Sequence, residues 1–174
     1  PPHYFPYGTA LYLLLFVPRW LAYQLLGAAA LGTGALGLSL VKLPMLGLEL
    51  LLLHSLGELA ERRSKHLLVY YWLNPIPIFI TYVHGQLDVA AMAFCFASLT
   101  SLLKQRTVRS GLWLGVATLC KFHVVALVPF WAVFIWNRFF AREALRRLIP
   151  WGGTWLLVSA VGFIPLILAQ RVFY

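Results

Sequence analysis

The sequence predicts an all-α integral membrane protein, a multi-span helical bundle with broken or re-entrant helices. Of its 174 residues, 61% are hydrophobic and 11% are charged, whereas a soluble domain carries about 25% charged residues. The mean hydropathy of the chain is +0.82. Proline and lysine interrupt two of the apolar stretches, and a helix broken within a membrane must have protein or water around its freed polar groups. We therefore expect a single transmembrane domain over residues 1–174.

The basic residues set the expected orientation of this domain. The net charge is +9, but the basic residues are grouped between apolar stretches instead of forming a patch with interleaved aromatic residues. The groups are residues 62–66, 104–109 and 138–147. Cytoplasmic loops of membrane proteins carry such groups, so we expect all three on the cytoplasmic side and no nucleic-acid partner.

Four stretches are apolar enough to cross a membrane, and they are residues 43–60, 67–83, 89–103 and 149–170. At about 1.5 Å of rise per residue, most of them reach across a hydrocarbon core of about 30 Å. With the basic groups inside, the second stretch rises to the outer face and the third descends from it. Asp88, the only aspartate of the chain, then lies at the non-cytoplasmic surface. Pro75 and Pro77 are expected to kink the rising stretch, because proline has no backbone N–H group.

Residues 110–137 have basic residues at both ends, so we expect them to enter the membrane and return as a short broken helix pair. The break falls at residues 120–123, which include Lys121. A lysine at mid-bilayer costs roughly 2.5–3.5 kcal/mol, so this side chain must face an aqueous pocket or an anion. The alternative is one tilted span with Arg138 outside, against which the arginines of 138–147 argue. With the broken pair, residues 42–174 hold about five spans.

Residues 1–41 are expected to form an outer-face loop and interfacial helices, one of them over residues 9–20. The alternative is a hairpin that packs closely through the small residues of 20–40. The chain opens without methionine, and we expect it to be part of a longer protein with at least one span and a loop upstream. Cys95 and Cys120 lie in apolar runs, so no disulfide framework is expected.

This topology brings six polar side chains to the outer half of the membrane: Lys42, His84, Gln86, Asp88, Lys121 and His123. The lysines and histidines are cationic donors suited to a phosphate or diphosphate. The carboxylate is a base, a metal ligand or an anchor for the lysines. The set predicts a site for a lipid-linked anion.

Five of these six residues also have a structural alternative. Asp88 can cap or salt-bridge a helix start, the two histidines can be satisfied at the interface, and Lys42 can snorkel to it. Lys121 has the weakest alternative, because an interior lysine needs a partner. Glu49 lies two turns from Lys42 on a similar helical face, and we expect it to be a buried carboxylate that is protonated or paired.

Several segments resemble the GT-C superfamily of membrane glycosyltransferases, which use polyprenyl-phosphate-linked sugars. Residues 4–12 resemble the aromatic, proline-rich end of the first outer loop of these enzymes. Residues 40–50 are similar to the start of the next span, where a basic residue is followed by an apolar run and an acid. An aspartate is commoner in the family where Glu49 stands.

Two further motifs follow in the family's order. Asn74–Pro75 together with 85–88 resembles the NP…GQ.D signature of bacterial mannosyl- and arabinosyl-type transferases. The dolichyl-phosphate-glucose-dependent transferases carry a related His-x-Gln-x-Asn, to which His84, Gln86 and Asp88 correspond. Residues 111–129 resemble the segment that comes next, with its glycines, single lysine and final proline. The resemblance covers nearly the whole chain, and the order and spacing of the motifs make it more specific than any one motif.

The resemblance implies transfer of a sugar from a polyprenyl-phosphate donor to a lipid-linked glycan, a glycolipid or a protein. The reaction would take place at the non-cytoplasmic face of a bacterial inner membrane or of the endoplasmic reticulum membrane. The departing phosphate gains charge while the anomeric carbon acquires oxocarbenium character. Lys121 is the first candidate to stabilise that charge, and His84 and Lys42 come next.

The remaining residues of the set have supporting roles in this interpretation. Gln86 would hydrogen-bond sugar or phosphate, Asp88 would orient His84 or Lys121, and His123 completes the donor-binding set. The catalytic aspartate of the family lies in the first outer loop, upstream of residues 4–12, so the base is expected before Pro1. No pattern demands a cofactor, and a divalent metal is compatible with the reaction.

Two other classes of protein stay open at this point. One is a non-catalytic membrane subunit packed within a larger complex, and it would lack an acid in the first outer loop. The other is a secondary transporter of an organic anion, which would use the break at Lys121 as its anion site. An inverted repeat would favour the transporter, and the sequence shows none.

Overall fold

The computed structural model describes residues 8–27, 34–60, 64–83 and 87–172, and every regular element within these ranges is helical. The α-helices are α1 (Thr9–Leu26), α2 (Ala35–Leu59), α3 (Ser64–Trp72), α4 (Pro75–Ile78), α5 (Asp88–Leu103), α6 (Thr107–Cys120), α7 (Val128–Arg138) and α8 (Ala141–Val172). A π-helical segment, Phe79–Val83, continues α4, and a 3-10 helix, Phe122–Leu127, precedes α7. The all-α prediction is confirmed for the described residues.

Helices α5 and α6 form the centre of the bundle, since most of their residues are buried, and α2 and α8 pack against them. Helices α5 and α6 are antiparallel, because Ser98 donates a hydrogen bond of 2.9 Å to the carbonyl oxygen of Ser110, while the start of α5 meets the end of α6. Helix α2 runs parallel to α5, since Glu58 near its end contacts Lys104, which follows α5. The bundle therefore has a Glu58 end and, at the start of α5, an Asp88 end.

Glycines bring α6 and α8 unusually close together. A Cβ atom on Gly111 would collide with the backbone of Trp151, and one on Gly115 would lie 2.7 Å from Cβ of Val158. Farther along, Leu119 packs against Gly162. Small residues let two helices approach in this way. Because the contacts advance along both helices together, α6 and α8 run parallel, and both begin at the Glu58 end.

The helix expected over residues 67–83 is interrupted at Pro75, the first predicted kink. Helix α3 ends at Trp72, and the side chain of Asn74 accepts a hydrogen bond of 3.0 Å from the backbone N–H of Ile76, which caps α4. Pro75 then occupies the first helical position, where a backbone N–H group has no helical acceptor. The expected span over residues 67–83 is therefore two helices and a π-helical segment instead of one kinked helix.

Two other helices extend beyond their expected limits. Helix α2 begins at Ala35, so the predicted boundary between residues 1–41 and 42–174 falls within it. Helix α8 begins at Ala141, and the basic residues before position 149 form its first turns. Alanine, arginine, glutamate and leucine are good helix formers, which explains why the helix continues through this charged region.

Three helices are long and apolar enough to cross a membrane: Thr9–Leu26, Ala35–Leu59 and Ala141–Ile164. The expected interfacial helix over residues 9–20 is thus part of a longer apolar helix. Large apolar side chains stay exposed on the outside of the bundle, among them Leu25 and Phe140. A soluble monomer rarely exposes so much apolar surface. These features are compatible with membrane insertion.

Candidate functional site

The candidate site forms where α6 ends and α5 begins. Lys121 follows directly after α6 with an extended backbone, φ −151° and ψ 114°. Its N–H group still donates to the carbonyl oxygen of Ala117, and its own carbonyl accepts from the N–H of Val124, the third residue of the 3-10 helix. Pro129 lies in the first turn of α7 and has no N–H group to continue a helix from upstream. The helix pair is thus interrupted at the predicted lysine.

An ion pair joins the two sides of the site. Nζ of Lys121 lies 2.5 Å from Oδ1 of Asp88, the first residue of α5. The side chains are 27% and 40% exposed respectively, so both are partly removed from solvent. Asp88 also lies in the first turn of a helix, where a negative charge interacts favourably with the helix dipole. The salt-bridging role weighed for Asp88 is what the structure displays.

A cavity of about 420 Å³ opens beside this ion pair. Asp88, Lys121 and His123 line it, together with the thiol of Cys95, and His123 is exposed. The rest of the wall comes from α5, the 3-10 helix and neighbouring apolar residues, such as Met92 and Val124. A mainly apolar cavity with a few polar groups on one side is typical of a binding site for an amphiphilic ligand.

The start of α1 closes the bundle next to Lys121. The backbone N–H of Gly8 donates to the carbonyl oxygen of Cys120 at 3.0 Å, and the hydroxyl of Thr9 donates to that of Gly162 at 2.7 Å. A Cβ atom on Gly8 would collide with the carbonyl of Leu119, so only glycine allows this approach. Gly8, which belongs to the aromatic, proline-rich run of residues 4–12, therefore lies against the residue before Lys121.

Lys42 belongs to a separate polar cluster. Its Nζ donates a hydrogen bond of 3.2 Å to the carbonyl oxygen of Tyr82 and lies 5.9 Å from the centroid of that ring. The hydroxyl of Tyr82 donates at 2.8 Å to Oε2 of Glu49, which is only 1% exposed. Glu49 is thus a buried, paired carboxylate, as expected. Lys42 does not line the cavity at Lys121.

The structure brings together three of the six predicted site residues. Asp88, Lys121 and His123 share one cavity, and Lys42 contacts the π-helical segment instead. His84 and Gln86 lie outside the described residues. Within the described ranges, no group of three or more histidine, cysteine, aspartate or glutamate side chains is placed to hold a metal ion.

Sequence reasoning missed Tyr82 as the partner of Glu49 and the contact of Lys104 with Glu58. A buried acid signals that some donor is needed, but the two residues of the first pair are 33 positions apart and no local pattern links them.

Comparisons with protein-family models, curated proteins and solved structures found no match for this chain.

Proposed function

We propose that this chain is part of a membrane glycosyltransferase that takes a sugar, such as mannose, from a polyprenyl-phosphate donor and transfers it to a lipid-linked glycan, a glycolipid or a protein. The resemblance to the GT-C superfamily supplies the reaction class. The observation that carries the proposal is the cavity of about 420 Å³ in which an ion-paired lysine projects from a helix break. Its mixture of apolar wall and cationic group suits an isoprenoid phosphate.

In this proposal, Lys121 holds the donor phosphate. When the bond between the anomeric carbon of the sugar and the phosphate breaks, negative charge grows on the phosphate oxygens. A fixed ammonium group therefore stabilises the transition state more than the ground state. Asp88 is a positioning residue that keeps Nζ at the cavity wall, 2.5 Å from its own Oδ1. The exposed His123 is a second donor on the same wall. The proposal assigns no described residue to the activation of the acceptor hydroxyl.

The distribution of charge supports an active site on the non-cytoplasmic face. Helices α6 and α8 both begin at the Glu58 end, where Lys104, Arg106 and the arginines of the first turns of α8 lie. Basic residues beside membrane spans favour the cytoplasmic side. The Asp88 end would then face the periplasm or the lumen of the endoplasmic reticulum, where lipid-linked donors of this type are used.

The test is a transfer assay on membranes that contain the full-length protein, with radiolabelled polyprenyl-phosphate mannose, arabinose or glucose as the donor. We expect Lys121→Ala to lower turnover by about 10²-fold or more, the usual cost of removing a group that stabilises transition-state charge. Arg142→Ala, which removes an exposed cation far from the cavity, is the matched control. Thermal unfolding in detergent verifies that both variants fold. Wild-type turnover by Lys121→Ala would contradict the assignment of the site.

A further inference from the structure

A second, more polar cavity lies at the Glu58 end, between α2, the end of α5 and the start of α6. Its volume is about 120 Å³, which corresponds to about four water molecules at about 30 Å³ each. Lys104, Arg106 and Arg109 line it, and Glu58 is the one carboxylate among its described lining residues. Three cations and one acid leave this wall with two excess positive charges.

The acid at this cavity is already engaged. Glu58 contacts Nζ of Lys104 directly and lies 3.5 Å from Nε2 of His54. The side chains of Arg106 and Arg109 form no hydrogen bond or ion pair with any residue that the structure describes. The excess charge of the cavity is therefore concentrated on two arginines whose guanidinium groups have donors to offer.

The local backbone fixes these arginines next to a helix start. Gln105 has a positive φ of 58°, and the N–H of Arg106 donates to the carbonyl oxygen of Ser101 at 2.9 Å, which closes the turn after α5. Helix α6 begins one residue later, at Thr107. Its first N–H groups have no acceptor within the helix, and they lie in sequence between the two lining arginines. The positive end of the helix dipole adds to the charge of this wall.

We propose that this cavity binds a phosphate group, carried either by a lipid headgroup or by a soluble phosphate compound. The planar guanidinium group matches two phosphate oxygens at once, and the volume admits a phosphate group. Glu58 holds Lys104 at the edge and leaves the arginines to the anion. The site lies at the opposite end of α5 from Asp88, so the inference does not rest on the proposed transferase activity.

The test uses the full-length protein in neutral maltoside micelles at constant ionic strength, with two probes, dioctanoyl phosphatidic acid and inorganic phosphate. Isothermal titration calorimetry measures the dissociation constant of each. We expect saturable binding that weakens at least about tenfold in the variant with Arg106→Gln and Arg109→Gln, because charge-assisted hydrogen bonds to phosphate are lost. The matched control carries Arg142→Gln and Arg146→Gln, two exposed residues of α8 that do not line the cavity.

Each outcome of this titration decides the proposal. Binding of phosphatidic acid alone, lost in the first variant and kept in the control, supports a lipid headgroup as the ligand. Equal affinity for inorganic phosphate with the same dependence supports a soluble phosphate compound. The proposal is overturned when neither probe binds saturably, when the first variant binds as the wild type does, or when the control weakens binding as much as the first variant. Both variants change exposed side chains, and circular dichroism verifies their helix content.

Discussion

Nζ of Lys121 lies 2.5 Å from Oδ1 of Asp88, and this contact ties the end of α6 to the start of α5. The two residues are 33 positions apart, so the pair is a tertiary contact and not a feature of one helix. The pair lies where the chain leaves the helical geometry of α6. The last carbonyl groups of α6 have no acceptor role within the helix there, and the ammonium group of Lys121 lies beside them. The pair thus links two helices and holds the cation beside the cavity.

The first prediction concerns the energetic coupling of this pair. Asp88→Asn and Lys121→Met are each expected to lower the free energy of unfolding by about 1–2 kcal/mol, between the values for exposed and buried ion pairs. The double variant should lose less than the sum of the two, by about 1 kcal/mol, because it leaves no uncompensated charge. Unfolding in mixed micelles of maltoside and dodecyl sulfate measures all four proteins. Strict additivity would show that the contact contributes nothing to stability.

The second prediction concerns the buried acid of α2. Tyr82→Phe removes the hydroxyl that donates to Glu49 at 2.8 Å, and Glu49 is only 1% exposed. A buried acceptor left without its donor costs about 1–3 kcal/mol, so the free energy of unfolding should fall by that amount. The control is Tyr70→Phe, at a side chain that is 73% exposed, and it should change stability by less than about 0.5 kcal/mol.

A further variant separates lost hydrogen bonding from lost packing at Tyr82. If the unsatisfied carboxylate causes the destabilisation, Tyr82→Phe should cost less in the Glu49→Gln background, since a neutral amide costs less than a charged group to leave without its donor. A loss at Tyr82 that is matched by Tyr70→Phe and unaffected by Glu49→Gln would exclude this hydrogen bond as its source.

The third prediction uses two glycines to test the close contact of α6 and α8. A Cβ atom on Gly115 would lie 2.7 Å from Cβ and 2.8 Å from Cγ1 of Val158, so Gly115→Ala should destabilise the protein by about 1–3 kcal/mol through overpacking. Gly153 lies in α8 with open space around its Cα atom. There alanine should instead stabilise the helix by up to about 1 kcal/mol. The same denaturant titration measures both variants, and equal changes of one sign would contradict the packing.

Local chemistry explains which parts of the fold were predictable. Pro75 favours the first position of a helix, because that position needs no N–H group, and Lys121 in an apolar run needs a polar surrounding. Both breaks occur where these residues lie. Helix limits were less predictable: α2 has no side-chain cap at its start, and nothing in the sequence marks Ala35 as its first residue.

The composition of the site depended on distances that no local pattern contains. The expected topology groups Lys42 with Lys121, because both fall in its outer half. In the structure, Lys42 instead donates to the carbonyl oxygen of Tyr82 in the π-helical segment. Asp88 is expected to orient His84 or Lys121, and the structure pairs it with Lys121. Tertiary packing, which no local pattern contains, determines both of these contacts.

The last prediction concerns the strained turn that follows α5. Gln105 has a φ of 58°, and its N–H group donates to the carbonyl oxygen of Leu102 at 2.9 Å. This is the left-handed position at which helices usually end with glycine. A residue with a Cβ atom loses roughly 1–2 kcal/mol there, and glycine avoids this loss but costs about 0.5–1 kcal/mol of additional chain entropy. Gln105→Gly should therefore stabilise the protein by about 0.5–1 kcal/mol.

The matched control for this turn is Gln105→Ala, which removes the same side-chain amide but keeps the Cβ atom. It should leave the free energy of unfolding within about 0.5 kcal/mol of the wild type, because the backbone strain persists. A gain of equal size in both variants would trace the effect to the amide group and not to φ. Since the turn carries Lys104 and Arg106 into the polar cavity, a gain confined to Gln105→Gly would assign the strain to the backbone that positions these two cations.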